Sequence, residues 1–204
     1  PKSFWYKIYE PFIRKAAGFG VVSHEPDKER YEHKYEYCDL LVTGSGPAGL
    51  ASAYSAAKNG AKVILAEDKP RFGGTLLTSE VNIGNQSGKE WADKIITEMR
   101  SMPNVTLKNR AQVFGYYDHN MLVMSERVTE HLPKSDKYTP KQRLWYIRAK
   151  EVVISSGSIE RPLVFGNNDT PGVILSSAAK EYLKIYGVIV GKKPLIFTNN
   201  DSAY

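Results

Sequence analysis

The chain has 204 residues, 28 Lys and Arg against 22 Asp and Glu, a formal net charge of +6 and an apolar share of 42%. That length accommodates one sizeable domain, or one and part of another, and the apolar share suits a globular protein with a core. A single cysteine, Cys38, excludes an internal disulfide, a redox dithiol and a cysteine-based zinc cluster, and suits the reducing cytoplasm.

The positive charge is concentrated: residues 126–150 hold seven Lys/Arg against three Asp/Glu, in what reads as a loop-like insertion forming a solvated face or a subunit contact. No basic groove interleaved with aromatics accompanies it, so no nucleic-acid partner is expected. No apolar run approaches the roughly 20 residues that cross a bilayer, and no membrane partner is expected. His24, His33, His119 and His131 share no ligand spacing, so no metal site is expected.

Residues 1–37 mix aromatics with charge. Ile8–Gly18 reads as short helical turns broken by Pro11, either an arm laid over another surface or a segment packed on its own domain. The charged residues after His24 read as a solvated linker.

The stretch from Asp39 to Leu50 then runs an apolar strand into Gly44-x-Gly46-x-x-Gly49 and a helix of small residues ending at Asn59-Gly60. Ala61–Ala66 forms a second apolar strand, closed by Glu67. This is a βαβ unit with a dinucleotide-binding turn. Gly44 permits the turn, Gly46 lets backbone approach a pyrophosphate, and Gly49 lets the helix pack against the strand. Glu67 stands where a carboxylate reaches the ribose of an adenosine and repels a 2′-phosphate, which favours NAD or FAD over NADP. Lys69 and Arg71 weaken that exclusion without removing it.

Gly73-Gly74 would bring backbone to the nucleotide again, or form an ordinary loop. Ser87-Gly-Lys-Glu90 is a capping box opening a helix with Trp91, Ile95, Ile96 and Met99 on one face. Short strands are expected at Val105–Leu107, Ala111–Tyr117 and Met121–Ser125, with a turn at His119-Asn120, and further strands at Leu144–Ala149 and Val152–Ser155. The last of these again leads to a glycine, Gly157. Ser176 or Ser177 should cap a helix running to Tyr186-Gly187, and Pro194–Thr198 reads as the first strand of another unit. Its following Asn199-Asn200-Asp201-Ser202 is no second glycine fingerprint.

The fold expected is α/β: a Rossmann-like FAD/NAD(P)-binding fold with a parallel sheet plus a β-meander, truncated at the start of a second nucleotide-type domain. Residues 1–37 would be arm and linker, 38–165 the dinucleotide-binding domain with its meander and insertion, and 166–204 a connection into the second domain. The chain reads as a fragment. Ser177-x-x-Lys180 lacks the companion motifs of a serine nucleophile, and Gly84–Glu90 lacks the spacing and hydroxyl of a P-loop. No catalytic residue is assigned.

Several stretches carry a family resemblance: Tyr9–Gly18, Cys38–Val42 with its glycine turn, Gly73–Leu77, Phe114–Asn120, Glu160–Phe165, Asn168–Val173 and Thr198–Tyr204. Along nearly its full length the chain resembles the N-terminal part of the alpha subunit of heterotetrameric sarcosine oxidase. The resemblance implies an enzyme that oxidatively demethylates sarcosine to glycine, forms hydrogen peroxide and passes the one-carbon unit to tetrahydrofolate. It implies NAD on alpha, flavins mainly on a beta subunit, folate in a C-terminal region of alpha, and beta, gamma and delta subunits as partners. It also implies nucleotide contacts: Gly44, Ser45, Gly46, Pro47 and Ala48 at the pyrophosphate, Glu67 and Asp68 at the ribose with Lys69 beside them, Gly74, Thr75 and Leu76 along the cofactor, backbone of Val113 at adenine, and Ser156-Gly157 closing the site. Ser155-Ser156-Gly157 departs from the Ala-Thr-Gly usual in flavin relatives. Two other readings stand beside it: an FAD-binding subunit of an opine or proline dehydrogenase, and a non-catalytic assembly subunit with an empty nucleotide site.

Overall fold

In the computed structural model, which describes all residues except Pro1, Val21, Ser135, Lys137 and Tyr204, six strands form one sheet. The strands are β1 (Tyr31–Thr43), β2 (Val63–Ala66), β5 (Val105–Lys108), β6 (Ala111–Tyr117), β7 (Met121–Arg127) and β8 (Gln142–Ile154). β3 (Asn82–Ile83) and β4 (Gln86–Ser87) form a separate short hairpin. The sheet order is β5-β2-β1-β8-β7-β6, parallel from β5 to β8 and antiparallel from β8 to β6. A parallel sheet extended by a meander is the architecture expected from the sequence.

Helix α3 (Pro47–Lys58) crosses from β1 to β2, and α4 (Gly88–Ser101) from the short hairpin to β5. Both pack on one face of the parallel strands: Leu50 and Ala53 from α3 and Ile95, Ile96 and Met99 from α4 meet Val42, Val63 and Leu65. The opposite face carries Leu41, Ile64 and Ala66, which the meander covers with Leu122, Met124 and Ile147. Burial on both faces explains why β2 reads Val-Ile-Leu-Ala without alternation. The capping box at the start of α4 is formed: Glu90 N–H donates to Ser87 Oγ (3.2 Å) and Ser87 N–H to the Glu90 carboxylate (2.8 Å). Ser87 N–H and Ser87 Oγ–H, both donating to the Glu90 carboxylate (2.8 Å each), hold that carboxyl below the usual carboxylate range.

Several expectations are corrected. Residues 31–37, expected as linker, belong to the first half of β1, where aromatics at 31, 33, 35 and 37 alternate with Glu32, Lys34, Glu36 and Cys38. The charges hid a period of two, yet they are matched across the strand pair, as Arg143 Nε donates to Glu32 (2.9 Å). The two strands expected at 144–155 are one, β8, and much of the basic insertion belongs to sheet, with only residues 128–141 between β7 and β8. Pro11 breaks nothing: helical turns run through Lys2–Phe4 (α1), a π-helical turn at Trp5–Tyr9 and Glu10–Ala16 (α2), with Pro11 in the first turn of α2 directly after the π-helical turn. Finally, Pro194–Thr198 is not a strand, because a strand forms against a neighbour and none of the described strands pairs with it.

The last long helix, α5 (Ser176–Tyr186), does end at Gly187, which takes the left-handed conformation. Its start is capped by neither serine. Glu160 does this, accepting Ser177 N–H (2.8 Å) and Ser176 Oγ–H (2.8 Å), and those donors hold its carboxyl below the usual range.

Where β2 joins β1 on its second side, the N–H groups of Asp39 and Leu40 both donate to the Lys62 carbonyl (2.9 and 3.2 Å). Cys38 and Leu41, three residues apart on this strand, both lie in the core cluster that the meander covers. Burial pushes the Cys38 thiol up to about 12. We expect it to resist a disulfide reagent at pH 8 in the folded protein and to react in full once denaturant is added, as thiol titration would read. A thiol pKa raised from 9.0 favours folding fully below that pH, and the contribution is lost as the pH rises through about 12.

Candidate nucleotide-binding site

Four segments converge at the C-terminal ends of β1, β2 and β8, the end at which open α/β sheets bind ligands. The first is the turn from Gly44 into α3. Gly44 has φ +90°, and a side chain there would run into the Ser155 carbonyl. A side chain at Gly49 would run into the Gly44 carbonyl and Ser155 Oγ. Both glycines are therefore demanded by the protein's own packing. Gly46 differs, with φ −66° and ψ −174°, a conformation open to any residue, and with nothing within 4 Å of a Cβ placed on it. The fold does not need a glycine at that position. An absent side chain facing open space beside a helix N-terminus is a cradle into which a ligand's backbone-hugging group fits.

Pro47 begins α3 and has no N–H, and Leu50 N–H is the donor to Gly46 C=O (2.9 Å). The intervening Ala48 and Gly49 amides have no intrahelical acceptor and carry the positive end of the helix dipole. Pro47 and Ala48 are exposed.

The second segment is the end of β2. Glu67 is buried, with 7% of its surface exposed. Its Oε2 accepts Ser45 N–H (2.9 Å) and Ser45 Oγ–H (2.5 Å), and its Oε1 accepts Lys69 N–H (3.0 Å). Asp68 and Lys69 are exposed beyond it. Arg110 N–H donates to the Lys69 carbonyl (3.1 Å), and the Arg127 guanidinium donates to the Asp68 carbonyl, so the turn after Glu67 is pinned from the β5–β6 turn and from β7. Lys69 Nζ reaches Glu181 on α5 (2.9 Å), and that carboxylate raises the ammonium's pKa.

The third segment, Gly73-Gly74, folds onto the first. Gly73 N–H donates to both the carbonyl and Oγ of Ser45 (3.1 Å each), and a Cβ on Gly74 would lie 2.8 Å from Gly46 Cα. Thr75 is exposed, while the Leu76 side chain is buried among core residues of α4 and its N–H donates to the Gly73 carbonyl (3.0 Å). The fourth segment follows β8: Ser155 Oγ donates to the carbonyls of Thr43 (2.8 Å) and Gly44 (3.0 Å), and Ser156-Gly157 lies exposed beyond.

The structure thus gathers the turn, Glu67, Gly74 and the 155–157 segment into one locality. Val113 is half-buried on β6, two residues past Ala111, whose N–H donates to the Glu67 carbonyl (2.8 Å). Two residues outside the expected contacts help hold this locality together, Gly73 and Ser155. Gly73 was visible as half of a glycine pair. Ser155 had no signal, because a serine at a strand end is common and only the folded chain shows its hydroxyl clamping the turn. Among the described residues no group of three or more metal-ligating side chains comes together, and no helix is long and apolar enough to cross a membrane.

The family model for FAD dependent oxidoreductase matches residues 39–142, which contain the glycine turn, Glu67 and most of the meander. Sarcosine oxidase subunit alpha of Rhizobium meliloti (strain 1021) is 45% identical over 204 residues, which is 100% of this chain and 21% of that protein. The same subunit of Corynebacterium sp. (strain U-96) is 40% identical over 190 residues, 92% of this chain and 20% of that protein. The chain therefore spans about one fifth of the length of these relatives. Among solved structures, L-proline dehydrogenase from P. horikoshii superposes with a TM-score of 0.65 over 84% of this chain and 32% of its own, at 21% identity, a likeness of fold. With its glycine turn, buried acid and parallel sheet extended by a meander, the chain belongs to the FAD dependent oxidoreductase family, and it is similar along its whole length to sarcosine oxidase subunit alpha.

Proposed function

We propose that this chain is the dinucleotide-holding part of a sarcosine oxidase alpha subunit and that the nucleotide it holds is NAD. The observation that carries the binding claim is Gly46, a glycine the fold does not require, at the open N-terminus of α3. The full-length likeness to sarcosine oxidase subunit alpha carries the choice of enzyme. In this reading Gly44, Ser45, Gly46, Pro47 and Ala48 surround the pyrophosphate, with the Ala48 and Gly49 amides as donors. Glu67 and Asp68 serve the adenosine ribose with Lys69 beside them, and Val113 backbone meets adenine. Gly74, Thr75, Leu76, Ser156 and Gly157 run along the rest of the cofactor. When bound, the dinucleotide supplies a ring able to exchange hydride, while this chain's residues bind and orient it.

The reaction follows the same reading: oxidative demethylation of sarcosine to glycine, with hydrogen peroxide formed and the one-carbon unit passed to tetrahydrofolate. It runs in a cytoplasmic complex with beta, gamma and delta subunits, flavins being carried mainly by beta. The fragment by itself would not oxidise sarcosine. A second reading has its own support. The matched family model is FAD dependent and a solved proline dehydrogenase shares the fold, so FAD in a dehydrogenase subunit is the alternative. Denaturing the purified chain and identifying the released nucleotide by mass and absorbance separates them, with titration of NAD and FAD if none is released. NAD is the expected result. FAD would transfer the chain to the second reading, and no binding of either would make it an assembly subunit.

A further inference from the structure

Glu67 spends nearly all of its hydrogen-bonding capacity inside the protein. A carboxylate offers about four acceptor positions. Oε2 takes two donors, Ser45 N–H (2.9 Å) and Ser45 Oγ–H (2.5 Å), and Oε1 takes Lys69 N–H (3.0 Å). The one position left is on Oε1.

We propose that Glu67 accepts a hydrogen bond from only one of the two ribose hydroxyls of a bound nucleotide, and that Ser45 is the positioning residue that imposes this limit. The inference rests on the dinucleotide reading above and deepens it. Ser45 is fully buried, and its Oγ also accepts Gly73 N–H (3.1 Å), so its own proton is directed to Glu67. Lys69, the donor on the other side, is held through its carbonyl by Arg110 N–H (3.1 Å). The carboxylate is therefore gripped from both ends and does not turn to present two oxygens to a vicinal diol. Discrimination at the ribose becomes one-sided: removing one hydroxyl costs a charge-assisted bond, and removing the other costs none at this acid.

The test is calorimetric titration of the 204-residue chain with ADP, 2′-deoxy-ADP and 3′-deoxy-ADP. One deoxy analogue should bind as ADP does, and the other on the order of tenfold more weakly. Ser45→Ala removes one donor from Oε2 and opens a second acceptor position. In that variant both analogues should bind on the order of tenfold more weakly than ADP. If ADP binds the unaltered chain and the two analogues lose equally, or neither loses, the proposal is overturned while the dinucleotide site stands. If Ser45→Ala weakens all three ligands alike, Ser45 merely supports the fold and its positioning role is overturned. Absence of ADP binding overturns the dinucleotide reading itself. The comparison in the unaltered chain needs no variant to fold.

Discussion

Gly46→Val is expected to leave the fold intact and to lower dinucleotide affinity by on the order of 100-fold or more, whereas Gly49→Ala is expected to damage the fold itself. The two positions belong to one motif, but their surroundings are opposite. A Cβ on Gly49 collides with the Gly44 carbonyl, which is backbone and cannot step aside, and with Ser155 Oγ. Overpacking of this kind costs about 1–3 kcal/mol, and more where backbone cannot move. A side chain on Gly46 meets only open space, and its backbone angles suit valine. What it fills is the approach to the α3 N-terminus, so it would separate a pyrophosphate from amides whose charge-assisted bonds contribute roughly 1.5–3 kcal/mol each. Thermal melting should show Gly46→Val unchanged and Gly49→Ala lowered, and titration with NAD should show binding lost in Gly46→Val. Unaltered affinity in Gly46→Val would remove the assignment of this turn to a nucleotide.

Replacing Glu67 should have the second large effect, and on both properties together. Glu67→Ala leaves Ser45 N–H, Ser45 Oγ–H and Lys69 N–H without their acceptor in a region where Ser45 is fully buried. Orphaned buried donors cost about 1–3 kcal/mol each; with two of the three on buried Ser45 and the third on exposed Lys69, the loss is roughly 3 kcal/mol and the melting temperature falls by roughly 10 °C. Binding of an adenine nucleotide should weaken as well. A fall in affinity without a fall in melting temperature would mean that the network around Ser45 contributes nothing to stability. Glu67→Gln keeps the shape but offers one acceptor oxygen in place of two, so it should fall between the two proteins in stability.

The parts of the fold that were legible in the sequence are those where one local rule acts alone. The βαβ unit announces itself because Gly44, Gly46 and Gly49 satisfy turn, approach and packing in a fixed order, and because Glu67 closes an unbroken apolar strand. The α4 capping box is likewise local, a serine and a glutamate three residues apart. What the sequence hid depends on distant partners. The first half of β1 looks like charged linker until β8 supplies Arg143 opposite Glu32. The cap of α5 comes from Glu160, sixteen residues upstream of Ser176, where proximity in sequence pointed to the serines. Pro194–Thr198 has strand composition and no strand beside it among the described residues.

The site follows the same division. Its glycines could be read from spacing, and the structure separates their roles by showing which of them the protein's own atoms require. Ser45 and Ser155 act through buried hydroxyls, reaching Glu67 across 22 residues and Thr43 across 112. No spacing rule identifies such contacts. The reading of Glu67 also changes in kind: it is a structural acceptor for the turn before any ligand is considered.

The most direct measurement is a crystal structure of this chain grown with NAD. The account predicts the pyrophosphate at the N-terminus of α3, against Gly46 and the amides of Ala48 and Gly49, with the adenosine ribose beside Glu67. A pyrophosphate located elsewhere on the protein, with the cradle at Gly46 left open, would contradict it.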